Sequence, residues 1–216
     1  MSLATRDEER IKAVVQMVKE TPTIELLRSL LPPDCPETIV RDLEKKMTFL
    51  HGGLLVFPSS FFEIQQLLTT LGMTIVFLIP SVIVRRRLAQ RYQLAEELLD
   101  IQIVESSWER EDGELAKLEL FVLLHATPGL TETIRETERI QEYENHVAFV
   151  LHDPSSYLSL RACFNRYGFS DDGGGINPWD NARKTIRYLV HPMTKRRVEL
   201  IMYSQESMLL GGDEYL

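Results

Sequence analysis

His146-Val-Ala-Phe-Val-Leu151 opens the stretch whose reading decides the fold, and Thr185-Ile-Arg-Tyr-Leu-Val-His-Pro-Met-Thr-Lys-Arg-Arg-Val-Glu-Leu-Ile-Met-Tyr203 closes it. Between them lie Asp153-Pro-Ser-Ser, an apolar run at helical spacing to Gly168, and a glycine-rich segment, Asp171-Asp-Gly-Gly-Gly175. The pattern predicts a strand, a helix stopped by glycine, a loop, and two strands joined at His191-Pro192. Side chains alternate across a strand. Val147, Phe149 and Leu151 therefore share one face, and His146, Ala148 and Val150 the other. In the last strand Val198, Leu200 and Met202 lie opposite Glu199, Ile201 and Tyr203. If both all-apolar faces cover the helix, His146 and Glu199 point away from it together.

The same order of elements occurs upstream. Met47 to Phe57 has strand composition, and Pro58-Ser-Ser-Phe-Phe matches Pro154-Ser-Ser-Tyr-Leu. At that offset Gly72-Met73 falls on Gly168-Phe169, so both helices share a length and a stop. Lys117-Leu-Glu-Leu-Phe-Val122 matches Arg197-Val-Glu-Leu-Ile-Met202 at a shorter offset, because the first half carries an extra predicted helix, 85–99. His51 lies one residue nearer its proline than His146 does, a slip of one step. Glu119, Phe121 and Leu123 fall on the face away from Leu118, Leu120 and Val122. A repeated supersecondary unit sets the architecture. Two such modules facing each other would gather His51, Glu119, His146 and Glu199. Those nitrogen and oxygen ligands suit zinc, nickel, cobalt, iron or manganese, and the residues do not choose among them.

These residues resemble the vicinal oxygen chelate superfamily, which includes glyoxalase I, methylmalonyl-CoA epimerase, fosfomycin-resistance proteins and extradiol dioxygenases. The likeness is best over 145–204, weaker over 47–124, and does not cover 1–46. It implies paired βαβββ modules forming a cupped mixed sheet, with metal ligands at the start of the first strand and the middle of the last strand of each module. Carried over, His51, Glu119, His146 and Glu199 are similar to the glyoxalase and epimerase ligand set. The metal is then a Lewis acid on two neighbouring substrate oxygens, and Glu199 or Glu119 doubles as the catalytic base. The departures are the stepped His51, followed by Gly52-Gly53, and the extra helix where the family has a short loop.

The expected fold is α+β: a helical N-terminal arm (1–46), a first module with a helical insertion (47–126), a linker helix (127–144), a second module (145–206) and a frayed tail (207–216). The expected function is a metal-dependent lyase or isomerase acting on a small oxygenated substrate, with Trp179 and Tyr203 as substrate contacts. One alternative is an iron dioxygenase on the same fold, built on His51, His146 and Glu199. Another is a metal-free binding or scaffolding protein. The arm reads as packing or dimerisation, so a homodimer stays open.

Composition narrows the classes. A net charge of −8 argues against a nucleic-acid partner, which needs a basic face. Two cysteines are too few for a disulfide framework, and without an apolar leader the chain reads as cytoplasmic. Leu67 to Val84 carries no charge for eighteen residues, but Gly72, Pro80 and its β-branched composition argue against a membrane span. No Gly-x-Ser-x-Gly, P-loop or His-Glu-x-x-His pattern supports a hydrolase, kinase or zinc peptidase.

Several local expectations follow. Thr23 should cap a helix to Leu31, Pro36 should open another, and Ser60 with Glu63 should form a capping box. Arg110-Glu-Asp-Gly113 should be a hairpin turn. Arg85-Arg-Arg87 reads as a solvated helix start and Cys163 as a buried small hydrophobe. Residues 171–175 read as a flexible lip. His125 and His191 read as exposed, and His152 as support for the following helix cap.

Overall fold

The computed structural model describes residues 5–109, 115–176 and 184–203. In chain order the elements are α1 (Thr5–Glu20), α2 (Thr23–Leu30), α3 (Glu37–Glu44), β1 (Met47–Val56), α4 (Phe61–Thr70), β2 (Thr74–Pro80), α5 (Val82–Tyr92), β3 (Ile101–Glu109), β4 (Leu115–Leu123), α6 (Glu132–Gln141), β5 (His146–Leu151), α7 (Tyr157–Arg166), β6 (Ser170–Ile176), β7 (Thr185–Val190) and β8 (Arg197–Met202). The class is α+β, and the chain forms two compact units. One is Met1–Glu20 with His51–Asn145; the other is Thr21–Leu50 with His146–Leu216.

Each unit contains a βαβββ module. In the first, the strands are ordered β2-β3-β4-β1, with β1 parallel to β4 and the other pairs antiparallel. In the second, the order is β6-β7-β8-β5, with β5 parallel to β8 and the rest antiparallel. The two orders are the same once the strands are matched, as the repeat requires.

In the first unit, Leu54, Val56, Val104, Leu118, Leu120 and Val122 bury one sheet face against Ile11 and Val15 of α1 and Ile64 and Leu68 of α4. At Gly52 a Cβ would lie 2.7 Å from Val14 Cγ1 and 2.8 Å from Met17 Cε. Glycine is what lets α1 lie this close to β1. The opposite face is covered too: Leu55, Phe57, Ile101, Ile103, Phe121 and Leu123 pack against Val84, Leu88 and Ala89 of α5. The sequence left this Glu119-bearing face open. Burying Phe121 and Leu123 requires the inserted helix to lie on it.

In the second unit, Tyr157, Leu160 and Phe164 form the buried side of α7, with Phe164 edge-on to Phe169 at 5.2 Å. Phe149 meets Phe49 at 5.9 Å. Helices α2 and α3 bury Leu26, Leu27, Leu30, Val40 and Leu43.

Some local expectations are revised. The inserted helix runs Val82–Tyr92 rather than 85–99, because Gln93 turns left-handed and the Leu94 N–H bonds back to Ala89. Arg87 in its middle is half-buried and donates to Glu144 at 3.2 Å, so the arginine run is not simply solvated. The Ser60 hydroxyl makes no cap bond; Glu63 instead accepts from the Ser59 N–H at 3.0 Å. Pro22 and Pro36 occupy the cap positions of α2 and α3, and the Thr23 hydroxyl accepts from Phe49 N–H at 3.2 Å.

Residues 171–175 are not a loop but belong to β6. Gly173, Gly174 and Gly175 all have positive φ there, a conformation glycine adopts without steric penalty. Cys163 is half-buried, not enclosed. The expected Arg110–Gly113 turn lies outside the described residues. The uncharged run 67–84 is divided among α4, β2 and α5, and among the described residues no helix is long and apolar enough to cross a membrane.

Candidate metal centre

Strand register places the candidate ligands. Gly53 of β1 lies opposite Glu119 of β4. His51, two residues back, is on the same side of the sheet. Its Nε2 is 3.7 Å from Glu119 Oε2, and both side chains are buried. In the second unit Ala148 of β5 lies opposite Glu199 of β8, and His146 is again two residues back. His146 Nε2 is 3.1 Å from Glu199 Oε2, and both are buried.

The two pairs therefore occupy the same register position in their modules. The one-residue slip read at His51 falls downstream of the strand, where 53–58 is one residue shorter than 148–154. An ionised carboxylate is costly to bury without a compensating donor or cation, so each glutamate is held where an imidazole meets it. These buried imidazoles and carboxylates could hold a metal ion.

Around each pair the sheet supplies further groups. Glu105 of β3 stands directly opposite Glu119 and is 2% exposed. Two carboxylates so placed repel. The Lys117 ammonium, 2.8 Å from Glu105 Oε1 on the same face, offsets that repulsion. In the second module the position of Glu105 is taken by Tyr188, opposite Glu199, whose ring meets His146 edge-on at 5.8 Å. Arg197 takes the position of Lys117 and donates to Asp172 from Nε at 2.9 Å and from Nη2 at 2.7 Å. Sequence reasoning passed over Glu105, although an acid within the apolar strand Ile101-Gln-Ile-Val-Glu105 is the signal that singled out Glu119 and Glu199.

The remaining candidates are placed as follows. His125 is exposed, with Nε2 3.7 Å from Glu132. His152 does not support the helix cap: its ring bridges Thr48 Oγ1 at 2.7 Å and the Lys45 carbonyl at 3.0 Å. Asp153 makes the cap alone, accepting from the Ser155 N–H at 2.9 Å. His191 is half-buried rather than exposed, edge-on to Phe169 at 5.3 Å. Tyr203 follows β8 and is 51% exposed. Trp179 lies outside the described residues.

No family model matches the sequence, and no curated protein matches it. Among solved structures the chain is similar to Streptomyces coelicolor methylmalonyl-CoA epimerase in complex with 2-nitronate-propionyl-CoA, at 14% identity and a TM-score of 0.42, over 72% of this chain and 96% of that one. It is similar to methylmalonyl-CoA epimerase from Mycobacterium tuberculosis at 14% identity and a TM-score of 0.43, over 74% and 91%. Glyoxalase I from Zea mays gives 14% identity and a TM-score of 0.21, over 73% of this chain and 47% of that one. Both kinds of enzyme are members of the vicinal oxygen chelate superfamily, which residues 145–204 resemble.

Proposed function

We propose that this chain is a metal-dependent isomerase or lyase of the glyoxalase and epimerase type, acting on a small oxygenated substrate. In this reading His51, Glu119, His146 and Glu199 together hold one divalent ion. The supporting observation is repetition: each unit buries one imidazole against one carboxylate at the same strand register, and each of the four residues offers one ligand atom. Two nitrogen and two oxygen donors fit zinc, nickel, cobalt, manganese or iron. An ion held there supplies Lewis acidity towards neighbouring substrate oxygens.

The chain's own share is proton handling. The Glu199 or Glu119 carboxylate takes a proton from the carbon beside a substrate carbonyl and returns it. Glu105, held by Lys117, is a third carboxylate on the face of Glu119 and a candidate for the same work. The α5 cover keeps water from the Phe121 end of that face. Trp179 and Tyr203 are the proposed substrate contacts.

The test is metal analysis of chelator-treated protein reloaded with each divalent ion in turn. One ion per chain is expected, lost in His146→Ala and in Glu199→Ala with the far-ultraviolet circular dichroism unchanged. Stoichiometry that survives both substitutions rules the site out. Solvent deuterium appearing beside the carbonyl of a candidate substrate, dependent on the ion, then checks the chemistry. The 3.1 Å His146–Glu199 contact also favours a second reading, a metal-free binding protein in which this is simply a buried imidazole–carboxylate pair. A chain that retains none of the ions selects it.

A further inference from the structure

Glu105 of β3 and Glu119 of β4 stand directly opposite each other on one face of the first unit's sheet, and both are buried. Residues so opposed have Cβ atoms about 5 Å apart. An ion ligated by one carboxylate is therefore within reach of the other. Yet among the described residues the group that could hold an ion takes Glu119 and leaves Glu105 out. Lys117 accounts for the difference. It lies two residues before Glu119, so it shares that face, and it is the ladder neighbour of His51. Its Nζ donates to Glu105 Oε1 at 2.8 Å. Glu119 instead meets the His51 ring, Nε2 to Oε2 at 3.7 Å. The second unit has no such choice to make: Tyr188 stands opposite Glu199, and the matching Arg197 donates to Asp172 of β6.

We infer, on the ligand set proposed above, that Lys117 is a positioning residue that withholds the Glu105 carboxylate from the metal ion. The first unit then contributes one imidazole and one carboxylate, as the second does. Charge and donor count both favour keeping Glu105 out. Two glutamates neutralise a divalent ion, whereas a third ligating carboxylate would leave the centre negative within a buried sheet face. Added oxygen donors also move the preference away from zinc, usually held by four ligands, towards manganese, which suits six oxygen-rich ones. Without the ammonium, Glu105 is a 2%-exposed carboxylate that regains a cation by joining the ion.

The test compares the zinc and manganese dissociation constants of the full chain by competition with a chromophoric chelator. The visible spectrum of the cobalt form is read alongside, since its bands weaken as ligands are added. Lys117→Met should shift the preference towards manganese by about tenfold or more and weaken the cobalt bands. Lys117→Arg should keep the wild-type values, and so should Glu105→Gln, which removes a group that is not a ligand. The double variant K117M/E105Q should restore the wild-type preference, which a general disturbance by Lys117→Met would not allow. A preference unchanged in Lys117→Met, or not restored in the double variant, overturns the inference and leaves the four-residue ligand set standing. Weaker zinc binding in Glu105→Gln overturns it too, by making Glu105 a ligand of the wild type. A wild type that binds none of the three ions overturns the ligand set and this inference with it.

Discussion

A Cβ on Gly174 would lie 2.1 Å from the carbonyl oxygen of Ile186, on a backbone whose φ is +152°. Gly174→Ala must therefore break the β6–β7 pairing at that point. It should cost about 2 kcal/mol or more, read as a lower urea midpoint. Asp7 is a second residue that fixes more than itself. It is fully buried and accepts from Arg139 Nη2 at 2.9 Å, Arg10 Nη1 at 3.1 Å and the Phe57 N–H at 3.2 Å. Asp7→Ala removes one acceptor from each of two guanidinium groups, and the Asp7 carboxylate from the Phe57 amide. A loss of about 3–5 kcal/mol is expected in the same measurement, with Asp7→Asn falling between it and the wild type. A loss within about 0.5 kcal/mol would mean that water replaces the carboxylate.

Among the elements, strands with a clean period of two were readable, and so were helices that end at glycine. Segments whose partners are distant in sequence were not. Residues 171–175 look like a loop because three glycines carry no side-chain pattern. Their strand state comes from β7, which supplies the hydrogen bonds. The spacing of Leu88, Tyr92, Ala95 and Leu98 runs smoothly through Gln93, but the backbone turns left-handed there and leaves Leu98 exposed.

The placement of α5 over the Glu119 face was hidden for the same reason: amphipathic spacing shows that a helix has an apolar side, not which surface it meets. Leu88 is fully buried in that contact. Leu88→Ala should cost about 2–5 kcal/mol and raise hydrophobic dye binding. Equal dye binding in variant and wild type would mean that α5 is not the cover.

At the scale of the whole chain, the duplication and both histidine–glutamate pairs were legible, because a histidine or glutamate within an apolar strand stands out. The second-rank residues were not. Glu105, Lys117, Tyr188 and Arg197 gain meaning only from the residues opposite or beside them on the sheet. If one ion is shared by both pairs, stability must depend on it. Free metal at about one hundred times its dissociation constant should add about 2.7 kcal/mol. The gain should vanish in His51→Ala as fully as in His146→Ala. A gain lost in only one of them would assign the ion to a single unit.

The matched position of the two histidines decides where the chain can take an insertion. Each lies two residues ahead of the partner of its glutamate, while the segments leading on to Pro58 and Pro154 differ in length. Drift by a residue is harmless in a connecting turn, whereas inside a ladder it rotates every following group through half a revolution. An extra residue spliced in beside Ser59 should therefore leave the His51–Glu119 contact in place. The same residue spliced in at Gly52 should turn the His51 side chain away from Glu119 and break that contact.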